Sequence, residues 1–100
     1  MTMSDSLGPE TVGPVLMDGG VADAVIAAIR ERNSGAVVVP HGSYHRVLVP
    51  HRCVLSRTDV ERYLGRRVTF PVDLEMIMSS FTGEFNVNED RAEWFDRQSA

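Results

Sequence analysis

The sequence predicts an α+β domain in which a small, mostly antiparallel sheet carries two to three helices on one face. Two observations lead to this class. Short β-branched runs alternate with stretches of helical periodicity, in the order β-α-β-β, a short strand, then α-α-β-β. The 100 residues are 43% hydrophobic and 24% charged, which suits one modest core. We expect a single domain over 11–97, preceded by a flexible, polar N-terminal tail over 1–10.

The first half of the chain predicts a strand, a helix and a hairpin. The apolar run TVGPVLM predicts the first strand over 11–17. A helix is expected over 21–32, because apolar side chains recur there at positions i, i+3, i+4 and i+7. AVVVP at 36–40 predicts a buried strand, and YHRVLV at 44–49 predicts its hairpin partner across a His-Gly-Ser turn.

The next helix is delimited by recognisable signals at both ends. Ser56 followed three residues later by Asp59 fits a capping box. Leu55 and Val60 occupy the two positions of a hydrophobic staple. Gly65 is placed to adopt the left-handed conformation that ends helices. These signals predict a short helix that begins at Ser56 and ends before Gly65.

The remaining elements are read from shorter signals. Residues 53–55 form a candidate short strand before the capped helix. Pro71 suits the first position of a third helix. Alternation over 81–87 predicts a strand, and 91–95 a returning last strand.

Composition excludes several classes of function. Ten basic residues against 14 acidic ones give a net charge of −4, which argues against a nucleic-acid binder. No apolar run approaches the ~20 residues of a membrane span, and the N-terminus lacks the pattern of a signal peptide. We therefore expect a cytoplasmic protein. One cysteine excludes a disulfide framework within the chain.

A histidine and cysteine cluster offers the only obvious reactive groups. His45, His51 and Cys53 would share one face of an extended strand, although Pro50 interrupts that strand. Their spacing matches no common zinc motif. No acidic residue stands three positions before any histidine, so the chain lacks the Glu-x-x-His pairs of a carboxylate-bridged di-iron site. We predict no metal, no cofactor and no catalytic residue.

The stretch from Met76 to Phe81 is the strongest candidate for a binding surface. It places Met, Ile, Met, Ser, Ser and Phe at a helix-to-strand junction. Leu74 and Ile77 can fill the core, which leaves Met76 and Phe81 with apolar surface to spare. Exposed Met and aromatic side chains are typical of protein–protein contacts.

Three stretches give the chain a family resemblance: VGPVLMDGG at 12–20, LSRTDVERYLGR at 55–66 and DLEMIMSSFTGEF at 73–85. With them, residues 12–95 resemble the cofactorless effector proteins of soluble di-iron monooxygenases. These include the toluene, phenol, alkene and methane monooxygenase systems. The short tail is similar to the toluene, phenol and alkene types.

The resemblance implies a non-catalytic protein that binds the hydroxylase component over its di-iron helices. Binding would reshape the active site and couple electron delivery to hydroxylation, in alternation or competition with the ferredoxin or reductase. Ile77, Ser79, Ser80 and Phe81 match the effector loop, in which Ile77 and Phe81 replace the Asn and Thr of the methane type. With Met76, these residues form the predicted partner-binding set.

Three other functions stay open from the residues alone. One is a small-molecule-sensing α+β regulatory domain, with the turn at 18–20 as its candidate pocket. Another is a small enzyme that uses Cys53 and His51. The last is an interaction domain outside the monooxygenases. The substrate of the system, whether toluene, phenol, an alkene or isoprene, is not specified by the sequence.

Overall fold

The computed structural model describes residues 10–97 and confirms the predicted α+β class. Residues 1–9, most of the predicted tail, lie outside the described residues. Within the described range the elements are β1 Thr11–Met17, α1 Gly20–Arg32, β2 Val37–His41, β3 Tyr44–Pro50, β4 Arg52–Ser56, α2 Arg57–Leu64, α3 Val72–Ile77, β5 Met78–Thr82, β6 Glu84–Val87 and β7 Arg91–Phe95.

The strands divide between two antiparallel sheets. One has four strands in the order β2-β3-β1-β5, and the other has three in the order β4-β7-β6. The chain passes from one sheet to the other at His51 and again at Gly83, both with left-handed backbone (φ 66° and 97°). A Cβ at Gly83 would lie 2.7 Å from Val12 Cγ1 and 2.8 Å from the Phe95 carbonyl oxygen. Only glycine fits there, and the strand predicted over 81–87 is therefore split into β5 and β6.

The core lies between the two sheets and the helices. Alternate residues of β1 and β3 point into it, as the period of a strand requires. Helix α1 packs against α2 and β4, and α3 leads directly into β5. The buried apolar side chains are Val12, Leu16, Ala22, Ala24, Val25, Ile26, Ala28, Ile29, Val47, Val49, Cys53, Leu55, Val60, Val68, Phe70, Leu74, Ala92 and Trp94.

Two of the three signals predicted for α2, the hydrophobic staple and the glycine cap, are confirmed. Leu55 and Val60 are both fully buried, as a hydrophobic staple requires. Gly65 adopts the left-handed conformation at φ 80°, and its N–H donates to the Glu61 carbonyl at 2.8 Å.

The predicted capping box is wrong. Ser56 is the N-cap residue, but its side chain makes no capping hydrogen bond and its Oγ lies 3.0 Å from Thr58 Oγ1. The Asp59 carboxylate turns instead to Arg32 of α1. The guanidinium groups attract the carboxylate with a full positive charge, which the backbone N–H of Ser56 lacks, so the tertiary contact prevails.

Pro71 directly precedes α3, close to the first helical position predicted for it, and follows a cis peptide bond. Within residues 10–97, no helix is both long and apolar enough to cross a membrane.

Candidate partner-binding surface

Helix α3 and strand β5 meet without a connecting loop. Met78 caps the helix with extended backbone (φ −93°, ψ 105°), and its N–H donates to the Leu74 carbonyl. Leu74 is almost completely buried and anchors α3 in the core. The junction is therefore short, and the burial of Leu74 fixes it to the core.

The apolar side chains at this junction divide between core and surface. Ile77 and Met78 pack against the core and are half-buried. Met76 points away and is 72% exposed. The helical period thus places a large, flexible apolar side chain in solvent, as the sequence predicts.

The two serines lie on the outer face of the four-stranded sheet, the face that points away from the core. Ser80 stands opposite Val15 of β1. The register shifts beside Val15, and Ser79 occupies the resulting irregularity, with its Oγ donating to the Val15 carbonyl at 3.4 Å. Both serines are exposed.

Phe81 lies on the opposite side of β5 from Ser80, because successive side chains of a strand alternate. It stands opposite Pro14. Its ring is 5.2 Å from that of Phe85, which in turn stacks on Trp94 at 5.1 Å. The ring is still 43% exposed. The five predicted residues therefore surround the edge strand β5 and do not share one face.

The outer face also carries a groove that no sequence pattern indicates. It encloses about 350 Å³ and is lined by Val15, Val39, His41, Tyr44, Arg46 and Ser79. Strand β2, predicted to be buried, is an edge strand with Val37 and Val39 54% and 42% exposed. Of its three valines, only Val38 packs against the core. A run of β-branched residues has the same pattern in a buried and in an edge strand, so the sequence did not distinguish them.

The predicted histidine and cysteine cluster does not assemble. His51 Nδ1 lies 2.6 Å from a carboxylate oxygen of the buried Asp96. Cys53 is fully buried, and burial raises the pKa of its thiol to about 12. A thiol with that pKa is not a nucleophile at neutral pH. The contacts of Cys53 and His51 thus do not support a small enzyme built on this pair.

His45 has a different neighbourhood. Its Nε2 lies 2.9 Å from Asp18 Oδ1, and this hydrogen bond lowers the pKa of the carboxyl. Asp18, Asp23 and His45 form the one group in the described part of the chain with three potential metal-ligand atoms within 4.8 Å of one another. It is exposed, and it includes neither His51 nor Cys53. The Asp18 side chain thus serves to hold the turn at 18–20 against β3.

Four charged side chains pair across the contact between α1 and α2. Asp59 is only 4% exposed and accepts hydrogen bonds from Arg32 and, at 3.0 Å, from Arg62. The Arg32 guanidinium is the main reason that the pKa of the Asp59 carboxyl is lowered. Arg62 also pairs with Glu31 at 2.9 Å. These contacts join the two helices.

Solved structures share this fold. Chains from two structures of a phenol hydroxylase–regulatory protein complex match with TM-scores of 0.75 and 0.71. Each match covers 85% of this chain, and 95% and 100% of the other chains, at 20% and 22% identity. Among curated proteins, the effector subunit of the alkene monooxygenase system of Xanthobacter autotrophicus (strain ATCC BAA-1158 / Py2) is 34% identical over 93 residues. That alignment covers 91% of each chain.

Fold and relatives define a non-catalytic regulatory component of a monooxygenase system. The chain belongs to the MmoB/DmpM family, whose profile matches residues 10–95. The resemblance predicted from three sequence stretches is confirmed.

Proposed function

We propose that this protein binds the di-iron hydroxylase of a multicomponent monooxygenase, reshapes its active site and couples electron transfer to hydroxylation or epoxidation. Residues 11–97 act as one effector-type domain in the cytoplasm. The protein alternates with the ferredoxin or reductase on the hydroxylase.

The observation that carries this proposal is the exposed junction between α3 and β5. Met76, Ser79, Ser80 and Phe81 all present surface there, above the buried anchor Leu74. Met and aromatic side chains are enriched in the cores of protein interfaces. Exposed serine hydroxyls can add hydrogen bonds whose geometry depends on the partner's conformation.

A regulatory protein changes its partner only by binding one of the partner's conformations more tightly than another. A rigid binding surface does this well, because it cannot adapt equally to both. The junction meets that requirement, since β5 is hydrogen-bonded to β1 and α3 is held by Leu74. Coupling of about 1–3 kcal/mol, typical of such linkage, would change the equilibrium constant between the inactive and active conformations of the hydroxylase about 5- to 150-fold.

The test is a reconstituted turnover assay. Hydroxylase, ferredoxin and reductase from the same source are assayed with and without this protein, while product and NADH are followed together. We expect severalfold more product and a higher ratio of product to NADH when the protein is present. No change in either quantity, together with no co-elution with the hydroxylase, would refute the proposal.

Variants of the α3–β5 junction test whether this is the surface that binds the hydroxylase. The triple variant Ser79→Ala, Ser80→Ala, Phe81→Ala should lower the rate or alter the product distribution. The double serine variant keeps the contact between Phe81 and Phe85, so it separates loss of binding groups from loss of packing. If both folded variants gave wild-type rates and products, this part of the assignment would be wrong.

A further inference from the structure

The outer face of the four-stranded sheet has an unusual charge distribution. Fourteen of the chain's residues are acidic, yet the outward positions of these four strands, all within the described residues, carry no Asp or Glu. Arg46 is the one arginine on the face. Around it are the exposed Val39 and Tyr44 and the half-buried Val15.

Arg46 is held in the groove but not neutralised. Its Nη2 donates a long hydrogen bond of 3.5 Å to Thr82 Oγ1 of β5. Because β1 lies between β3 and β5, this contact directs the side chain across Val15. Between residues 10 and 97, Arg46 forms no ion pair, whereas Arg32 and Arg62 on the helices each do.

We propose that the groove receives an acidic side chain of the hydroxylase, with Arg46 binding the carboxylate and the valines packing against neighbouring apolar atoms. This inference rests on the proposed function and names the chemistry of the partner surface. The planar guanidinium binds carboxylates in a bidentate manner. His41, Tyr44 and Ser79 also line the groove and can contribute further hydrogen bonds.

Two features favour a protein carboxylate over a small acid. The groove is continuous with the α3–β5 junction, because Ser79 belongs to both. The apolar surface extends beyond the groove to Val37 and Met17, further than one small ligand would cover. A protein surface that contacts the junction can cover this area as well.

The test measures affinity for the purified hydroxylase as a function of salt concentration. Arg46→Gln removes the charge and keeps a polar side chain, although this side chain is too short to reach Thr82. We expect it to weaken binding roughly tenfold at low salt and to flatten the salt dependence. Arg46→Lys keeps the charge without the planar fork and should fall between the two. Arg30→Gln is the matched control, since Arg30 is exposed on α1 and forms no ion pair within the described range.

The outcomes separate this inference from the proposed function. If wild type binds the hydroxylase and Arg46→Gln binds equally well, the groove assignment is wrong and the proposed function stands. If wild type does not bind at all, both fail. Saturable binding of benzoate to the isolated protein, abolished by Arg46→Gln, would instead make the groove a small-molecule site and overturn the proposal. Unchanged Trp94 fluorescence verifies that each variant is folded.

Discussion

The helix pair α1/α2 and the outer face of the four-stranded sheet use polar side chains in opposite ways. On the helices, the nearly buried Asp59 is bonded to two arginines, and Arg62 also holds Glu31. On the sheet, Arg46 makes a long contact to a threonine hydroxyl and, among residues 10–97, no ion pair, and it lies beside exposed valines. A surface whose charges are paired internally contributes to folding. A surface with an unpaired cation and exposed apolar groups is suited to binding.

Substitutions in the two regions should therefore have different effects, on stability in one and on function in the other. Changes among the helix charges should lower the free energy of unfolding and spare partner binding. Changes on the sheet face and at the junction should weaken partner binding and leave the free energy of unfolding almost unchanged.

Gly83→Ala should destabilise the whole domain, because Gly83 lies where the two sheets meet. The added Cβ would clash with Val12 and with the Phe95 carbonyl, at a backbone φ of 97°. We expect a loss of about 3 kcal/mol or more in the free energy of unfolding. Denaturant unfolding followed by Trp94 fluorescence measures it. Gly42→Ala is the control, since φ is 63° but no atom lies within 4 Å of the added Cβ. The left-handed backbone alone should cost about 1–2 kcal/mol, and equal costs for the two variants would contradict the packing argument.

Asp59→Asn should weaken the helix pair alone. The amide keeps the shape but loses the charge that Arg32 and Arg62 bind, and charge-assisted hydrogen bonds contribute about 1.5–3 kcal/mol. Water screens the two half-exposed guanidinium groups, so we expect roughly 2 kcal/mol, at the lower end of this range. Hydroxylase activation at saturating protein should be unchanged. Asp90→Asn is the control, since its pair with Arg57 is exposed, and its stability should stay close to that of wild type.

The stability lost in Asp59→Asn should depend on pH. The pKa of Asp59 is lowered in the folded protein from its ordinary value of 3.8. The stabilisation is therefore complete above the ordinary pKa and is lost as the pH falls through the lower, folded value. The difference in unfolding free energy between wild type and Asp59→Asn should thus be constant near neutrality and shrink below about pH 4. A difference that persisted at lower pH would mean that the charge of Asp59 is not its cause.

How far the sequence predicts these two regions depends on how local their determinants are. The element order, the Gly65 cap and the exposure of Met76 follow from neighbours within a few residues, and the structure bears them out. The division into two sheets depends on the left-handed backbone at His51, which no residue pattern signals. Two features join residues that are distant in sequence: the bond between Arg32 and Asp59, and the groove around Arg46. The periodicity of a single sequence reports on near neighbours, so it does not predict these contacts.

Met76→Ala should have the smallest effect on stability and a clear effect on function. Its side chain is 72% exposed, so we expect a change below about 0.5 kcal/mol in unfolding. Activation of the hydroxylase should fall, because the junction loses its most exposed apolar group. Tyr63→Ala on α2, which is 47% exposed, is the control and should leave activation unchanged. Equal losses from both substitutions would remove the functional distinction between the two regions.

The burial of Cys53 has a practical consequence. It is the only cysteine in the chain, and with a pKa of about 12 and no exposed surface it should resist maleimide in the folded state. A Met76→Cys variant would therefore accept a fluorophore or spin label at one position without removal of the native thiol. Such a label, placed at the α3–β5 junction, would report directly on the arrival and departure of the hydroxylase. Labelling of Cys53 itself would in turn measure how often the core opens.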